Sequence, residues 1–334
     1  MILLFIYSVL IFLINIFLIK NNTISNKLLS EHQSFANHFV LPTGGIFILL
    51  PMIYLLYPNN LFLILTFSFL FLLGILSDLN ILSSAKKRFL LQFILISIFV
   101  ILNKLQVLPT RIEIIDNVIE DTIFSYLFTV FCLLILVNGS NFIDGLNGLL
   151  LGYLSFIIVT LYQVELIQTL DFSVEKFNIF ILFIFFILLL NFLNQLFLGD
   201  NGAYPLGFFV GFILIEIYNL NEKISPYFII LLLWYPCFEI LFSIIRKIIL
   251  KKNPLEPDTG HFHQNLLLFI KNKFNLNILK SNIISSLLIL LYNLLIFYLA
   301  SMAINHTSYQ IILILISVLI YCVFYFLLKR NIKS

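Results

Sequence analysis

The chain has 334 residues, of which 61% are hydrophobic and only 10% are charged. A soluble domain is about half apolar and about a quarter charged. The composition therefore excludes an ordinary soluble protein and predicts an all-α integral membrane protein with several spans. The net charge is +3, and the three cysteines lie in apolar runs, which argues against a disulfide framework and a thiolate metal site. We expect one transmembrane domain over residues 1–334 and no nucleic-acid partner.

Eleven apolar runs are interpreted as membrane-spanning helices, because such a helix needs about 20 apolar residues. In chain order they lie at residues 2–19, 45–57, 61–76, 89–102, 122–137, 148–167, 178–198, 205–219, 227–245, 282–304 and 310–328. The first run lacks a basic segment and a small-residue cleavage site. We therefore interpret it as a span and not as a removed signal peptide.

The distribution of Lys and Arg predicts the orientation of these spans. Fifteen of the 19 basic residues lie on the side of the C-terminus and of the loops 20–44, 77–88, 138–147, 199–204 and 246–281. This side is predicted to be cytoplasmic, with the N-terminus outside. The chemically suggestive segments also lie on this side, and so we expect a substrate that arrives from the cytoplasm.

The first of these segments is Pro42-Thr43-Gly44-Gly45, which opens the second span. Paired glycines let backbone N–H groups approach a ligand closely. Gly44 and Gly45 are therefore candidate substrate-binding residues. A tight turn that enters a helix is the alternative interpretation.

Asp78 lies at the cytoplasmic end of the third span, and the basic cluster Lys86, Lys87 and Arg88 follows about ten residues later. A carboxylate in this position can bind a metal ion or accept a proton, so Asp78 is a candidate catalytic residue. The basic cluster could bind an anionic headgroup. For each of its residues taken individually, the enforcement of topology is the better explanation.

The most informative segment follows the fifth span, where Asn138, Asn141, Asp144 and Asn147 recur at every third residue before Gly148. Polar groups at a membrane edge are costly unless they bind something. Amides, one carboxylate and flexible backbone suit a metal ion, a phosphate or a nucleobase. A helical conformation would keep these side chains near one face. The alternative is a helix cap in an Asn-rich protein.

Asp200 lies in the turn Gly199-Asp200-Asn201-Gly202, just before the eighth span. Magnesium favours one or two carboxylates together with phosphate oxygens. A helix N-terminus adds partial positive charge for those phosphates. Asp200 is therefore a candidate magnesium ligand, and a plain Asp-Asn-Gly turn is the alternative.

The longest inner loop, 246–281, carries Arg246, His261 and His263. Two histidines at i and i+2 do not share a helix face, which argues against a helical metal pair. A guanidinium and two imidazoles suit a diphosphate and sugar hydroxyls, although solvated loop charges are the alternative. Glu239 lies about two helical turns before Arg246 and could face the same cleft.

Taken in order, these segments resemble the polyprenyl-phosphate N-acetylhexosamine-1-phosphate transferases, the MraY/WecA family, and especially its WecA-type amino-sugar branch. That family shows a Pro…Gly-Gly segment, an Asp-Asp pair, an Asn-x-x-Asn-x-x-Asp-Gly-x-Asp-Gly segment, a Gly-Asp-x-Gly-Ser turn and a Pro-Asp-x-x-His-x-His-His loop. The corresponding segments are 42–45, 77–78, 138–148, 199–203 and 257–264. The resemblance covers about residues 40 to 265, and five motifs in order on one membrane face make it specific.

The resemblance implies an enzyme of the bacterial inner membrane that transfers a sugar-1-phosphate from a UDP-sugar to undecaprenyl phosphate and releases UMP. This reaction is the first membrane step of a cell-envelope glycan pathway, such as that of lipopolysaccharide. The resemblance also implies a magnesium ion, with manganese as an alternative, held by Asp200 with help from Asn141. A homodimer is left open.

The remaining roles are also implied by the resemblance. Asn147 and Phe197 would lie near the uracil, and Asn138 would belong to the substrate site. Asp78, Asp144 and Asp200 would be the catalytic residues, and Asp78 would act near the lipid phosphate. The phosphates or the sugar would be contacted by Arg246, His261 and His263.

The chain departs from the family pattern at four positions. Ser77 replaces the first Asp of the pair, Asn147 replaces the usual bacterial Asp, Ala203 replaces the Ser of the turn, and Gln264 replaces the last His. The family's first Asp is often assigned as a base. A phosphate monoester has a second pKa of about 6, so its attack does not require a base.

Two other functions agree with parts of the pattern. A UDP-muramoyl-peptide phosphotransferase of peptidoglycan synthesis is the nearest, but it usually carries a third His where this chain has Gln264. A transporter or flippase of lipid-linked sugars belongs to a different class, and it would show internal repeats or polar breaks at the membrane midplane. The identity of the sugar does not follow from the sequence.

Overall fold

A computed structural model describes residues 2–20, 42–58, 60–107, 109–253 and 260–333. Over these residues the chain forms α-helices joined by short connections, with no β-strand among them. The helices are α1 (Ile2–Lys20), α2 (Gly44–Leu56), α3 (Leu61–Asp78), α4 (Ala85–Leu102), α5 (Glu113–Ile119), α6 (Thr122–Ile143), α7 (Leu149–Gln163), α8 (Val174–Phe192), α9 (Asp200–Leu220), α10 (Pro226–Leu232), α11 (Trp234–Ile249), α12 (Phe262–Phe274), α13 (Ile278–Ser301) and α14 (Thr307–Lys333).

Among the described helices, six are long and apolar enough to cross a membrane: α3, α6, α8, α9, α13 and α14. A seventh candidate span is formed by α10 and α11 together, which meet at 72°. The predicted apolar runs largely coincide with helices, although α2 and α7 have only 13 and 15 residues. The prediction of an all-α polytopic membrane protein is confirmed. The number of eleven spans and the orientation of the termini stay predictions.

The helix α9 lies at the centre of the bundle, between α3 and α6. In its most apolar window 72% of the residues are buried, whereas no other candidate span exceeds 44%. Small residues allow the close approach that helices in a membrane need. A Cβ on Gly207 would lie 2.6 Å from Ser140 Oγ, and one on Gly211 would lie 2.9 Å from Leu133 Cδ2. The N-terminus of α9 is therefore fixed by close packing along the helix.

The structure differs from the sequence prediction at one end of each of two spans. α6 continues to Ile143 instead of ending at residue 137, and the Asn138 amide donates to Leu134 O one turn earlier (2.9 Å), so that this polar residue is accommodated within the helix. The predicted loop 246–281 contains α12, which ends at Asn275 in the left-handed conformation common at helix C-termini. Part of each predicted loop is thus rigid helix.

Candidate active site

The N-terminus of α9 is the point on which the predicted site segments converge. Gly199 precedes the helix with a φ of +72°, a left-handed conformation that favours glycine. The first N–H groups of a helix have no acceptor within it. Asp78, the last residue of α3, accepts the N–H of Asp200 at Oδ1 (3.0 Å) and that of Asn201 at Oδ2 (3.1 Å). Asp78 therefore caps α9 from a different helix.

Asp144 adds a second carboxylate at the same point, directly after α6. The N–H of Gly199 donates to this carboxylate. Burial raises the pKa of Asp144 well above its ordinary value, and the negative charges of Asp200 and Asp78 raise it further. Within the described parts of the chain, no Lys or Arg forms an ion pair with any of the three carboxylates. The site therefore gathers three carboxyl groups without a described counter-cation.

We expect the substitution Asp144→Asn to stabilise the folded protein in metal-free buffer. Because the pKa of Asp144 is higher in the folded chain than in the unfolded chain, folding favours the protonated form, and stability falls as the pH rises through this range. The variant carries no charge here and escapes this loss. Its Tm in detergent should exceed that of the wild type at about pH 8 and approach it at about pH 5.

The exposed residue Asp171 provides the matched control for this stability prediction. Asp171→Asn removes a carboxylate far along the chain from the cluster and should leave the Tm unchanged at both pH values. A lower Tm for Asp144→Asn than for the wild type at the higher pH would contradict the prediction, because it would show that the ionised carboxylate supports the fold.

The third carboxylate, Asp200, is held by two hydroxyl groups. Ser77 Oγ donates to Asp200 Oδ2 at 2.5 Å, and the Tyr204 hydroxyl donates to the same oxygen at 2.9 Å. Both side chains are buried, so both bonds form away from water. No donor among the described residues contacts the other oxygen, Oδ1. This oxygen is available for a ligand.

The paired glycines hold the start of α2 against the turn before α9. The Gly44 N–H donates to Phe197 O at 3.0 Å. A Cβ on Gly45 would lie 2.1 Å from Asn201 Oδ1 and 2.4 Å from Asn201 O. Asn201 in turn donates through Nδ2 to Pro42 O (2.7 Å) and Asp78 Oδ2 (2.5 Å). The glycines thus have a packing role, and their role in substrate binding stays a prediction.

We expect Gly45→Ala to destabilise the protein by about 3 kcal/mol, at the upper end of the cost of overpacking, because the added methyl group meets backbone atoms that cannot rotate away. Ile46→Ala is the matched control, since it changes the next residue of α2, which is 38% exposed, without adding an atom. Thermal unfolding in detergent would measure both variants. An unchanged Tm for Gly45→Ala would show that α2 can shift away from Asn201.

The three asparagines of the segment 138–148 have different surroundings. Asn138 Nδ2 donates to Gln92 Oε1 at 3.0 Å and so joins α6 to α4. Asn147 is buried, and its side chain donates to Asn194 Oδ1 at 3.1 Å. Asn141 is half-buried, and its backbone oxygen accepts the N–H of Asp144 (3.3 Å). Asn141 is thus joined to Asp144 through the backbone, and a contact between its side chain and a site carboxylate stays a prediction.

A second cluster surrounds the buried carboxylate of Glu239, which is only 1% exposed. Glu239 Oε1 lies 3.0 Å from His261 Nδ1 and accepts the N–H of Phe262 at 3.1 Å. The Tyr321 hydroxyl donates to Oε2 at 2.8 Å. Because a carboxylate only accepts, Nδ1 of His261 is the donor. Glu239 therefore fixes the orientation of His261 and leaves Nε2 as its other reactive nitrogen.

Arg246 belongs to the same cluster and does not extend freely into solvent. Its guanidinium donates to Gly260 O, to the Tyr325 hydroxyl (3.1 Å) and to Ser243 Oγ (3.2 Å). Gln264, where the resembled family has a third histidine, accepts the N–H of His261 at the start of α12 (3.4 Å). The segment 254–259, which includes Pro257 and Asp258 of the predicted motif, lies outside the described residues.

The segment 142–145 connects the histidines to the carboxylates. The ring centroids of Phe142 and His261 lie 5.1 Å apart, and the rings of His261 and His263 stack at 5.5 Å. A Cβ on Gly145 would lie 2.4 Å from His263 Nε2. Asp144 lies between Phe142 and Gly145 in the chain. The described parts of the five predicted segments thus meet in one region of the molecule.

The donor set of this region fits a divalent cation. Three carboxylates face one another without a described counter-cation, and the buried Asn201 Oδ1 has no described hydrogen-bond partner. In the described parts of the chain no group of three or more His, Cys, Asp or Glu side chains is arranged to hold a metal ion by itself. A cation held here would take its remaining ligands from amides, water and substrate phosphates, as magnesium commonly does.

Sequence reasoning missed several residues that build the site. Tyr204 and Asn201 lie one turn apart in α9 and bind site carboxylates, but each looked like an ordinary helix or turn residue. Tyr321 contacts Glu239 across 82 positions of sequence. Only a polar hydroxyl within an apolar span could have indicated Tyr321, and most of the 15 tyrosines of the chain share that signal.

Comparison with known proteins places the sequence of this chain in a family. Residues 60–218 match the family model described as glycosyl transferase family 4, a range that includes Ser77, Asp78, Asp144 and Asp200. The chain is 30% identical over 226 residues to the undecaprenyl-phosphate alpha-N-acetylglucosaminyl 1-phosphate transferase of Thermotoga maritima, with 67% of each chain covered. The chain therefore belongs to glycosyl transferase family 4.

Two further relatives agree with this assignment. The "Probable undecaprenyl-phosphate N-acetylglucosaminyl 1-phosphate transferase" of Bacillus subtilis is 30% identical over 59% of this chain and 55% of its own length. The decaprenyl-phosphate N-acetylglucosaminephosphotransferase of Mycolicibacterium smegmatis is 24% identical over 46% of this chain and 43% of its own length. The predicted family is confirmed, and so is the predicted class of enzyme, a glycosyl-1-phosphate transferase that acts on a polyprenyl phosphate.

Proposed function

We propose that this protein transfers N-acetylhexosamine-1-phosphate from a UDP-sugar to undecaprenyl phosphate and releases UMP. The observation that carries the proposal is the convergence of Asp78, Asp144 and Asp200 on the N-terminus of α9, beside the segment of His261 and His263. The names of the Thermotoga maritima and Bacillus subtilis relatives support undecaprenyl phosphate and N-acetylglucosamine as the first candidates for acceptor and sugar.

The chemistry explains why such a site needs a cation. Both substrates carry phosphate groups, so they repel each other and the three carboxylates. We assign a magnesium ion, or manganese in its place, to Asp200 with help from Asn141. The bound ion would supply charge compensation for the diphosphate and the developing charge on the leaving UMP.

The transfer itself requires positioning more than covalent help from the protein. An oxygen of undecaprenyl phosphate attacks the β-phosphorus of the UDP-sugar, a new P–O bond forms, and the bond from the β-phosphorus to the oxygen of the α-phosphate breaks. UMP leaves with the electron pair of that bond. The acceptor is a phosphate monoester with a second pKa of about 6, and so it needs no base at neutral pH.

The side chains around the carboxylates are assigned to different parts of the two substrates. Asp78 orders the N-terminus of α9, where the helix dipole favours phosphate, and is assigned to the lipid phosphate. His261 and His263, together with Arg246, are assigned to the diphosphate and the sugar. Asn147 and Phe197 are assigned to the uracil.

We also propose the full membrane topology on the basis of the apolar runs and the charge distribution. Eleven spans place the N-terminus outside and the C-terminus in the cytoplasm of a bacterium, with the active site at the cytoplasmic face of the inner membrane. Under this arrangement a UDP-sugar from the cytoplasm reaches the active site without crossing the membrane. A homodimer agrees with the proposal but is not required by it.

A reconstituted reaction tests the proposed function. Purified protein would be incubated with magnesium, undecaprenyl phosphate and one of several donors: UDP-N-acetylglucosamine, UDP-N-acetylgalactosamine, UDP-glucose or a UDP-muramoyl-peptide. We expect UMP release from a UDP-N-acetylhexosamine only when lipid and metal are both present. Release from the muramoyl-peptide donor alone would assign the protein to peptidoglycan synthesis. No release by folded protein would contradict the proposal.

A further inference from the structure

Two hydroxyl groups converge on a single carboxylate oxygen at the centre of the site. Ser77 Oγ and the Tyr204 hydroxyl both donate to Asp200 Oδ2, at 2.5 and 2.9 Å. Ser77 comes from the last turn of α3, and Tyr204 lies one turn after Asp200 in α9. Their exposed fractions are 6% and 2%. The carboxylate is therefore held from two different helices at once.

This arrangement determines which oxygen of Asp200 can bind a ligand. Two donors occupy the lone pairs of Oδ2, and donors to an ionised acceptor are the stronger class of hydrogen bond. A carboxylate held in this way cannot rotate without losing both bonds, so Oδ1 keeps one direction before any ligand arrives. The Asp200 side chain is then already ordered in the folded protein, so that it loses less conformational entropy when a cation binds.

We propose that Ser77 and Tyr204 are positioning residues that orient Asp200 Oδ1 toward a divalent cation. This inference rests on the proposed function, which assigns the cation to Asp200. It gives Ser77 a role of its own, although this residue stands where the resembled family has an acidic residue. A hydroxyl at this position donates to Asp200, whereas an ionised carboxylate in its place would add to the repulsion from Asp78 and Asp144.

A purely structural role for the two hydroxyls is the competing explanation, since their bonds also join α3 to α9. The two explanations differ in one measurable quantity. A structural role lowers the Tm but leaves the cation affinity of the folded molecules unchanged. A positioning role lowers the affinity itself, and partners that orient a metal ligand typically contribute about 10–100-fold.

The experiment measures Mn²⁺ binding to the purified, substrate-free protein by electron paramagnetic resonance of the free ion. The variants are Ser77→Ala, Tyr204→Phe and the double variant, with Ser77→Thr to restore the hydroxyl. Matched controls are Ser155→Ala and Tyr153→Phe, which remove buried hydroxyls that donate to Leu151 O and Leu232 O in and beside α7. Tm is recorded for every variant, so that only folded protein is compared.

We expect each single variant to raise the Kd for Mn²⁺ by about tenfold, the double variant to raise it further, and Ser77→Thr to recover most of the affinity. The controls should bind like the wild type. An unchanged Kd in the folded double variant would overturn the inference, and so would a wild type that binds no Mn²⁺. Protein that binds Mn²⁺ as expected but releases no UMP would contradict the proposed function and leave the inference standing.

Discussion

Asp200→Asn is expected to lower the rate of UMP formation by about a thousandfold, because a metal and preorganised charge at a transferring phosphoryl group supply several kcal/mol. The variant keeps the size of the side chain and an oxygen that can accept from Ser77 and Tyr204. The fold should therefore survive while the charge that attracts the cation is lost. The substitution therefore removes the negative charge of the side chain without changing its size.

The measurement is the rate of UMP release at saturating substrates across a range of magnesium concentrations. Asp171→Asn, an exposed position, serves as the matched control and should retain full activity. The Tm in detergent would confirm that Asp200→Asn is folded. Activity within about tenfold of the wild type, with an unchanged magnesium requirement, would remove Asp200 from the metal site.

Glu239→Gln is expected to have the second-largest effect, a loss of about 100-fold in kcat/KM for the UDP-sugar, at the upper end of what partners of functional histidines contribute. Glu239 accepts from His261, Phe262 and Tyr321. Glutamine has a single accepting oxygen, and its NH₂ group would face one of these donors. His261 would then lose its fixed tautomer and orientation.

Two comparisons separate this effect from a general one. Tyr321→Phe removes only one of the three donors and should cost less than Glu239→Gln, with its loss mainly in the KM for the UDP-sugar. Glu216→Gln removes another carboxylate within a membrane helix, outside both clusters, and should be close to neutral. Equal activity of Glu239→Gln and Glu216→Gln would show that His261 does not depend on its carboxylate partner.

The fold could be predicted from the sequence wherever one apolar run makes one helix. The runs at 61–76 and 282–304 became α3 and α13 with small changes at the ends. The break between α10 and α11 was not predicted, because the run 227–245 is continuously apolar and the bend of 72° shows no local signal beyond Pro236. The helix α12 was missed because it is amphipathic and lies within a polar segment.

The candidate site could be predicted in its parts but not in its connections. Asp78 was selected as a carboxylate at the predicted membrane edge, Asp144 for its spacing with Asn138 and Asn141, and Asp200 for its position in a glycine turn before a span. The capping of α9 by Asp78 depends on a contact across 122 positions, which no local pattern reveals. Ser77 looked like a loss from the resembled motif, and only the geometry shows its bond to Asp200.

The central claim is that the sugar moves together with its phosphate, and the fate of the β-phosphate tests it most directly. Purified protein would receive UDP-N-acetylglucosamine labelled with ³²P at the β-phosphate, undecaprenyl phosphate and magnesium. We predict that the label enters the lipid fraction while unlabelled UMP forms in equal amount, and that Asp200→Asn shows neither product. Label recovered in UDP would contradict the claim, because the bond between sugar and phosphate would then be the one that breaks.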